Sequence, residues 1–165
     1  MDHNPDWSEI AGGILGGLAG AWALSQVLSA MSQLAPEEPD PVVEEDEPTV
    51  RTAAAISEAL LKKTLSRRQR KPAGQAVHYA FGALIGALYG VLGAELPVVR
   101  SGAGSLYGLG VWFGADELAL PALRLTPPVG KQPKELQAES AAAHVVFGLV
   151  LDSVSRACRH LLSRD

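Results

Sequence analysis

The chain has 165 residues, of which 47% are hydrophobic, and its formal net charge is −4. The length fits one domain, and the acidic balance argues against a nucleic-acid-binding protein. Because Cys158 is the only cysteine, an internal disulfide framework and a cysteine-based zinc site are excluded. The charged residues are unevenly spread, since most lie in 36–73, in 124–139 and at the C-terminal tip. The stretches between these blocks are long and apolar.

The first apolar stretch, residues 10–34, contains no Asp, Glu, Lys or Arg. As a helix rising 1.5 Å per residue, it is long enough to cross a hydrocarbon core of about 30 Å. The N-terminus lacks a basic n-region, so we expect a retained span rather than a cleaved signal peptide. Glycines spaced by four residues predict two faces that pack closely on partner helices: Gly12, Gly16 and Gly20, and Gly13 and Gly17.

The segment 36–73 is expected to form the first long loop. Residues 36–50 are acidic and proline-rich, which predicts an extended, disordered linker. Residues 51–70 combine apolar positions with many lysines and arginines, which predicts a short amphipathic helix. This helix either lies on an anionic membrane surface or docks on the bundle as a solvated helix.

Three further stretches, about 74–96, 101–123 and 136–162, have the length and apolar character of spans. The short turn at Pro97 predicts that the second and third helices are antiparallel neighbours, and Pro121 is expected to kink or end the third. The sequence therefore predicts an all-α fold, a four-helix transmembrane bundle forming a single membrane domain over 1–165. The alternative is a set of core helices in a soluble protein, for which four such stretches would be unusual.

The apolar stretches contain a weak internal repeat. The pattern His-x-x-Phe-Gly occurs at His78 and again at His144. The first and third stretches also correspond at a constant offset, pairing Gly13, Leu15, Gly17 and Leu18 with Gly104, Leu106, Gly108 and Leu109. We interpret the chain as two related helical hairpins in the same orientation, with chance similarity of apolar sequence as the alternative.

Basic residues predict the orientation. Ten lysines and arginines lie in 36–73 and 124–139, against four in the remaining connections and ends. The positive-inside rule then predicts both of these loops in the cytoplasm and both termini outside.

Ionisable residues within the spans suggest a candidate polar cluster. With alternating helix directions, His78, His144 and the pair Asp116 and Glu117 fall in the same leaflet. Two imidazoles and a carboxylate suit a divalent transition metal, with His78, His144 and Asp116 as ligands, and they equally suit a proton relay. The alternative is that these groups only form hydrogen bonds between helices.

Two further carboxylates are secondary candidates. Glu95 stands next to Leu96 and Pro97 at a helix end and is expected to be interfacial. Asp152 lies deeper and is expected to pair with Arg156 one turn later. Because the chain contains no HExxH, P-loop or Gly-x-Ser-x-Gly motif, we expect neither a cofactor nor a hydrolase or nucleotide enzyme.

The residues from the third stretch onward resemble the YagU-like family of bacterial inner-membrane proteins. The resemblance rests on three elements: 116–121 (Asp-Glu-Leu-Ala-Leu-Pro), 125–128 (Leu-Thr-Pro-Pro) and 144–148 (His-Val-Val-Phe-Gly). The resemblance implies an integral protein of the bacterial inner membrane and supplies no reaction or substrate. The long segment 36–73 departs from the family pattern.

We expect a small multi-pass membrane protein that lies in the lipid bilayer. Its further partners are expected to be other spanning helices, either in a homo-oligomer or in another membrane protein. The first hypothesis is handling of an ion or proton, in a setting such as envelope stress, through the polar cluster. The second is a structural or assembly role based on the glycine faces. The third, a metal-dependent membrane enzyme, requires a bound metal and is the least favoured.

Overall fold

The computed structural model describes residues 7–34, 47–128 and 130–162, in which all regular structure is helical. The α-helices in chain order are α1 (Trp7–Leu34), α2 (Pro48–Ile56), α3 (Arg67–Glu95), α4 (Ser105–Trp112), α5 (Leu120–Ala122) and α6 (Lys134–Leu162). A π-helix, Ser57–Leu61, follows α2, and a 3-10 helix, Pro97–Gly104, connects α3 to α4. A second π-helix, Phe113–Ala119, joins α4 to α5 and is called the π-segment below.

Three helices, α1, α3 and α6, are long and apolar enough to cross a membrane. Each has at least 28 residues and so extends for about 42 Å, which exceeds a hydrocarbon core of about 30 Å. The chain from Ser105 to Ala122 is also helical throughout, because the π-segment connects α4 directly to α5. This fourth helical stretch is shorter, at about 27 Å.

Helix α1 lies between α3 and α6 and contacts both. A Cβ atom on Gly17 would lie 2.9 Å from both the carbonyl carbon of Gly82 and the Cα of Gly86, so these backbones are nearly in contact. On the adjacent face, a Cβ on Gly16 would lie 2.5 Å from the carbonyl oxygen of Leu151 in α6. The two glycine faces of α1 therefore meet different neighbours, Gly13 and Gly17 meeting α3, and Gly12, Gly16 and Gly20 meeting α6.

The buried core lies where α1, α3 and α6 meet. Tyr89 and Leu151 are fully buried, and Phe147, Ala143 and Ala21 are nearly so. Large apolar side chains point outward along the same helices, as expected for helices whose outer faces meet lipid.

Helix α4 packs against α6 rather than along α3. Gly108 approaches the backbone of His144, and a Cβ on it would also lie 3.1 Å from the backbone nitrogen of Gly148. This contact resembles that of α1 with α3, but the contacted position in α6 lies one turn earlier in the His-x-x-Phe-Gly pattern than the contacted position in α3. Gly108 meets His144, whereas its counterpart Gly17 meets Gly82, four residues after His78.

The expected side-by-side packing of the second and third helices is limited to the end next to the 3-10 helix. There the rings of Tyr89 and Tyr107 meet edge to face with centroids 5.0 Å apart, and the Tyr107 hydroxyl donates to the carbonyl of Ile85 over 2.7 Å. Further along, an apolar groove of about 540 Å³ separates α3 from α4 and the π-segment. The reason is that Pro97–Gly104 turns the chain toward α6, with non-helical backbone at 101–103.

The predicted amphipathic helix over 51–70 was wrong in its bounds. It begins at Pro48 and ends after the π-helix at Leu61, because Lys62 adopts a left-handed conformation with φ of 54°. The basic residues 67–71 belong to α3, which begins seven residues before the predicted position 74. Residues 48–50 of the predicted linker are helical, while 36–46 of that linker lie outside the described residues.

Helix α2 docks on α3 through a small buried contact. Val50 and Ala53 are buried, and a Cβ on Gly74 would lie 2.7 Å from Cγ2 of Val50. The Arg51 guanidinium donates to the carbonyl of Leu125 over 3.1 Å, which links the first long loop to the chain that follows α5. The two long loops therefore meet at the same end of the helices.

Candidate functional site

The π-segment is the local irregularity that positions two of the predicted carboxylates. Asp116 and Glu117 lie within it, ahead of Pro121. Proline cannot donate a hydrogen bond to the carbonyl four residues earlier, that of Glu117, and its ring crowds that carbonyl. A wider π-turn relieves this conflict, and such turns are frequent at functional sites. The sequence patterns did not predict the π-helix, although Pro121, the residue that favours it, can be read directly from the sequence.

Both carboxylates of the π-segment bond to the start of α6. The Ser140 hydroxyl donates to Oδ2 of Asp116 over 2.7 Å. The Gln137 amide donates to Oε2 of Glu117 over 3.4 Å, and the Glu117 side chain is buried, with 6% of its surface exposed. At 3.4 Å this amide contact is at the long end of the range for a hydrogen bond.

His144 joins this group through the backbone of the same serine. Its Nδ1 lies 2.9 Å from the carbonyl oxygen of Ser140, and because a carbonyl only accepts, Nδ1 carries a hydrogen and donates it. In the neutral imidazole Nε2 is then the acceptor. Asp116, Glu117 and His144, with Ser140 and Gln137, are called the π-segment site below.

His78 does not belong to the π-segment site. Its Nε2 lies 3.0 Å from both the Ser25 hydroxyl and the carbonyl oxygen of Ala21, so it binds to α1. Because His78 bonds to α1 and His144 bonds within α6, the predicted cluster is divided into two parts. Within the described residues, no group of three or more His, Cys, Asp or Glu side chains is arranged to hold a metal ion.

A second polar group lies at the opposite end of the helices. Asp152 is fully buried, accepts a 2.5 Å hydrogen bond from the Tyr89 hydroxyl and forms an ion pair with Arg156, as its spacing predicted. Nearby, Glu9 pairs with Arg100 at 3.0 Å and with Arg159 at 3.7 Å. These contacts connect α1, α3, the 3-10 helix and α6.

Sequence reasoning missed several partners in both groups. Ser140 was detectable in principle, because it lies one turn before His144 and precedes it on the same face. Tyr89 and Glu9 carried no pattern that distinguished them, since their partners are far away in sequence. Glu95, predicted to be interfacial, is exposed at the last position of α3.

The described structure defines a helical protein with three helices long and apolar enough to cross a membrane. Residues 27–153 match the model of a family described as "Protein of unknown function (DUF1440)". The match covers most of the chain, including the π-segment site, so the chain belongs to this family. No curated protein and no solved structure matches the chain.

Proposed function

We propose that the chain is a four-span membrane protein that handles a proton or small cation at the π-segment site. In this proposal the spans are α1, α3, the helical stretch 105–122 and α6, arranged as two related hairpins with the glycine contacts holding them together. The bacterial inner membrane is the proposed location, which rests on the resemblance to the YagU-like proteins. The cytoplasmic side is proposed for both long loops because of their basic residues.

The buried carboxylate of Glu117 carries this proposal. It lies in a π-turn about 8 Å from the end of its helical stretch. Placing a carboxylate within a membrane span costs free energy, so such a residue is a candidate functional group. Asp116 and His144 both bond to Ser140 beside it, so three ionisable side chains occupy neighbouring positions. Ionisable groups facing other helices within a span are the usual components of proton relays.

Proton flux into proteoliposomes tests this proposal. Purified protein is reconstituted with an internal pH dye, and acidification is followed after a potassium gradient and valinomycin set the membrane potential. The proposal predicts flux above that of empty liposomes, a loss of most of it in Glu117→Gln, and an unchanged rate in Glu95→Gln, the exposed control. Equal flux in empty liposomes, or an undiminished rate in Glu117→Gln, would contradict it.

A second candidate role, assembly with another spanning helix, is favoured by the apolar groove between α3 and α4. Gly110 and Gly114 line it four residues apart, and a Cβ on either would meet nothing within 4 Å. Most other glycines of the spans contact a neighbouring helix. If this role is correct, Gly114→Cys should crosslink in native membranes, and filling the groove with Gly110→Leu should abolish the crosslink. Recovery of monomers only would count against assembly.

A further inference from the structure

The connection between α2 and α3 exposes apolar and basic side chains together. In the π-helix after α2, Leu60 and Leu61 have 76% and 66% of their surface exposed. The residues that follow include four exposed cations: Lys62, Lys63, Arg67 and Arg68. We call the six residues the basic collar. Large apolar side chains exposed next to several cations are typical of a surface that meets a partner rather than of an ordinary solvated loop.

The leucines of the basic collar are not used to hold α2 in place. Helix α2 is fixed by Val50 and Ala53 against α3, and its C-terminal end is closed by the Ser57 hydroxyl, which donates to the carbonyl of Lys63 over 2.7 Å. Leu60 and Leu61 lie within the turn that this bond closes, and both remain at the surface. The amphipathic segment is therefore docked on the bundle and still has an unused apolar edge.

Two of the cations sit where the helix itself disfavours them. Arg67 and Arg68 are the first residues of α3, whose first turn contains no acidic residue. The N-terminal end of a helix carries a partial positive charge, so cations there are destabilising unless an anion lies close. The capping box formed by Ser66 and Gln69 satisfies backbone groups and adds no negative charge. An external anion would relieve this repulsion.

We propose that the basic collar binds the anionic headgroups of the bilayer in which the protein sits. The leucines would enter the apolar boundary of the bilayer, and the four cations would contact lipid phosphates. The chemistry fits this occupant because the collar lies next to the start of α3, a helix long and apolar enough to cross the membrane. The exposed apolar edge distinguishes a bilayer surface from a small soluble anion.

Fluorescence of the full chain tests the proposal. Thr64, an exposed residue that follows Lys63 of the basic collar, is replaced by cysteine in a Cys158→Ser background and labelled with an environment-sensitive dye. The protein in neutral detergent is titrated with mixed micelles containing phosphatidylglycerol or phosphatidylcholine. Because each cation near an anionic surface contributes about fivefold in association, phosphatidylglycerol should bind at least about tenfold more tightly.

Matched charge removals separate the collar from general electrostatics. In Lys63→Gln/Arg67→Gln/Arg68→Gln the preference for phosphatidylglycerol should disappear, with an unchanged elution volume showing that the protein is folded. The control removes three exposed cations near the other long loop, Arg124→Asn/Lys131→Gln/Lys134→Gln, and should keep the preference. Asparagine replaces Arg124 because the backbone at this position is left-handed, with a φ of 58°, and asparagine tolerates this conformation.

Four outcomes would overturn the proposal. Equal binding of the two lipids would remove the charge recognition, and an equal loss in the control variant would assign it to net charge alone. The same response to inorganic phosphate would make the site one for a soluble anion. A response to an acidic peptide but not to phosphatidylglycerol would identify an acidic protein as the partner instead.

Discussion

The close contact of α1 with α3 predicts that adding one methyl group at Gly17 destabilises the protein. A Cβ there would lie 2.9 Å from the carbonyl carbon of Gly82 and from the Cα of Gly86, and closer still to the carbonyl oxygen of Gly82, well inside ordinary contact distance. Neither neighbour is the end of a flexible side chain, so the two helices must separate. Overpacking of this kind costs about 1–3 kcal/mol. The Gly17→Ala change also gains up to about 1 kcal/mol because alanine favours helix more than glycine does.

The variant Gly110→Ala is a matched control for this prediction. It makes the same chemical change in a helix, but its new Cβ would meet nothing within 4 Å. Since the gain in helix propensity is common to both variants, their difference isolates the overpacking, and Gly17→Ala should be less stable than Gly110→Ala by about 1–3 kcal/mol. Reversible unfolding in mixed micelles with increasing denaturing detergent measures this difference. Equal stability of the two variants would refute the close α1–α3 contact.

Three further predictions concern the polar groups and α2. Arg156→Met should lower the free energy of unfolding by about 3 kcal/mol, because it leaves the Asp152 carboxylate buried without a cation. The double variant with Asp152→Leu should recover most of this loss. A loss that the double variant does not recover in the same unfolding assay would contradict this prediction. Gly74→Leu should displace Val50, so the amides of α2 should exchange hydrogen faster while α1 and α6 are unchanged; uniform exchange would argue against docking. Glu9→Gln should cost about 0.3–1 kcal/mol, less in high salt, because its ion pairs are partly exposed; a loss independent of salt would assign a different role to this side chain.

Hydropathy was sufficient to predict that the chain is helical and contains long apolar helices. The predicted spans 10–34 and 136–162 closely match α1 and α6, since each is a long apolar segment with polar flanks. The predicted start of the second helix at 74 was wrong because the apolar pattern ends there while the helix continues through polar residues to Arg67. Hydropathy marks where a helix becomes apolar and does not mark where it begins.

The predicted start of the third helix at 101 was wrong for a different reason. Residues 101–104 are small and uncharged, so they do not stand out from the helix that follows, but Ala103 and the two glycines beside it adopt positive φ. Hydropathy cannot detect such a turn, because the change lies in the backbone angles and not in the polarity. This turn directs α4 onto α6 and leaves the groove beside α3 open.

The structure brings together only part of the candidate polar cluster. Alternating helix directions predicted that Asp116, Glu117 and His144 come together, and these side chains do lie around the first turns of α6. The rotation of each helix about its axis is not determined by hydropathy, and it directs His78 toward α1 instead. Sequence spacing succeeded where the partners share a helix, as with Asp152 and Arg156.

The proposal of four spans is tested most directly by the accessibility of single cysteines in sealed vesicles. In a Cys158→Ser background, cysteines are placed at Lys63, Lys131 and Val98, which are all exposed and lie in three different connections. If the stretch 105–122 crosses the membrane, an impermeant thiol reagent should label positions 63 and 131 from the same side and position 98 from the other. Labelling of position 131 together with position 98, on the side opposite to position 63, would mean that only α1, α3 and α6 span the membrane, and would contradict the account.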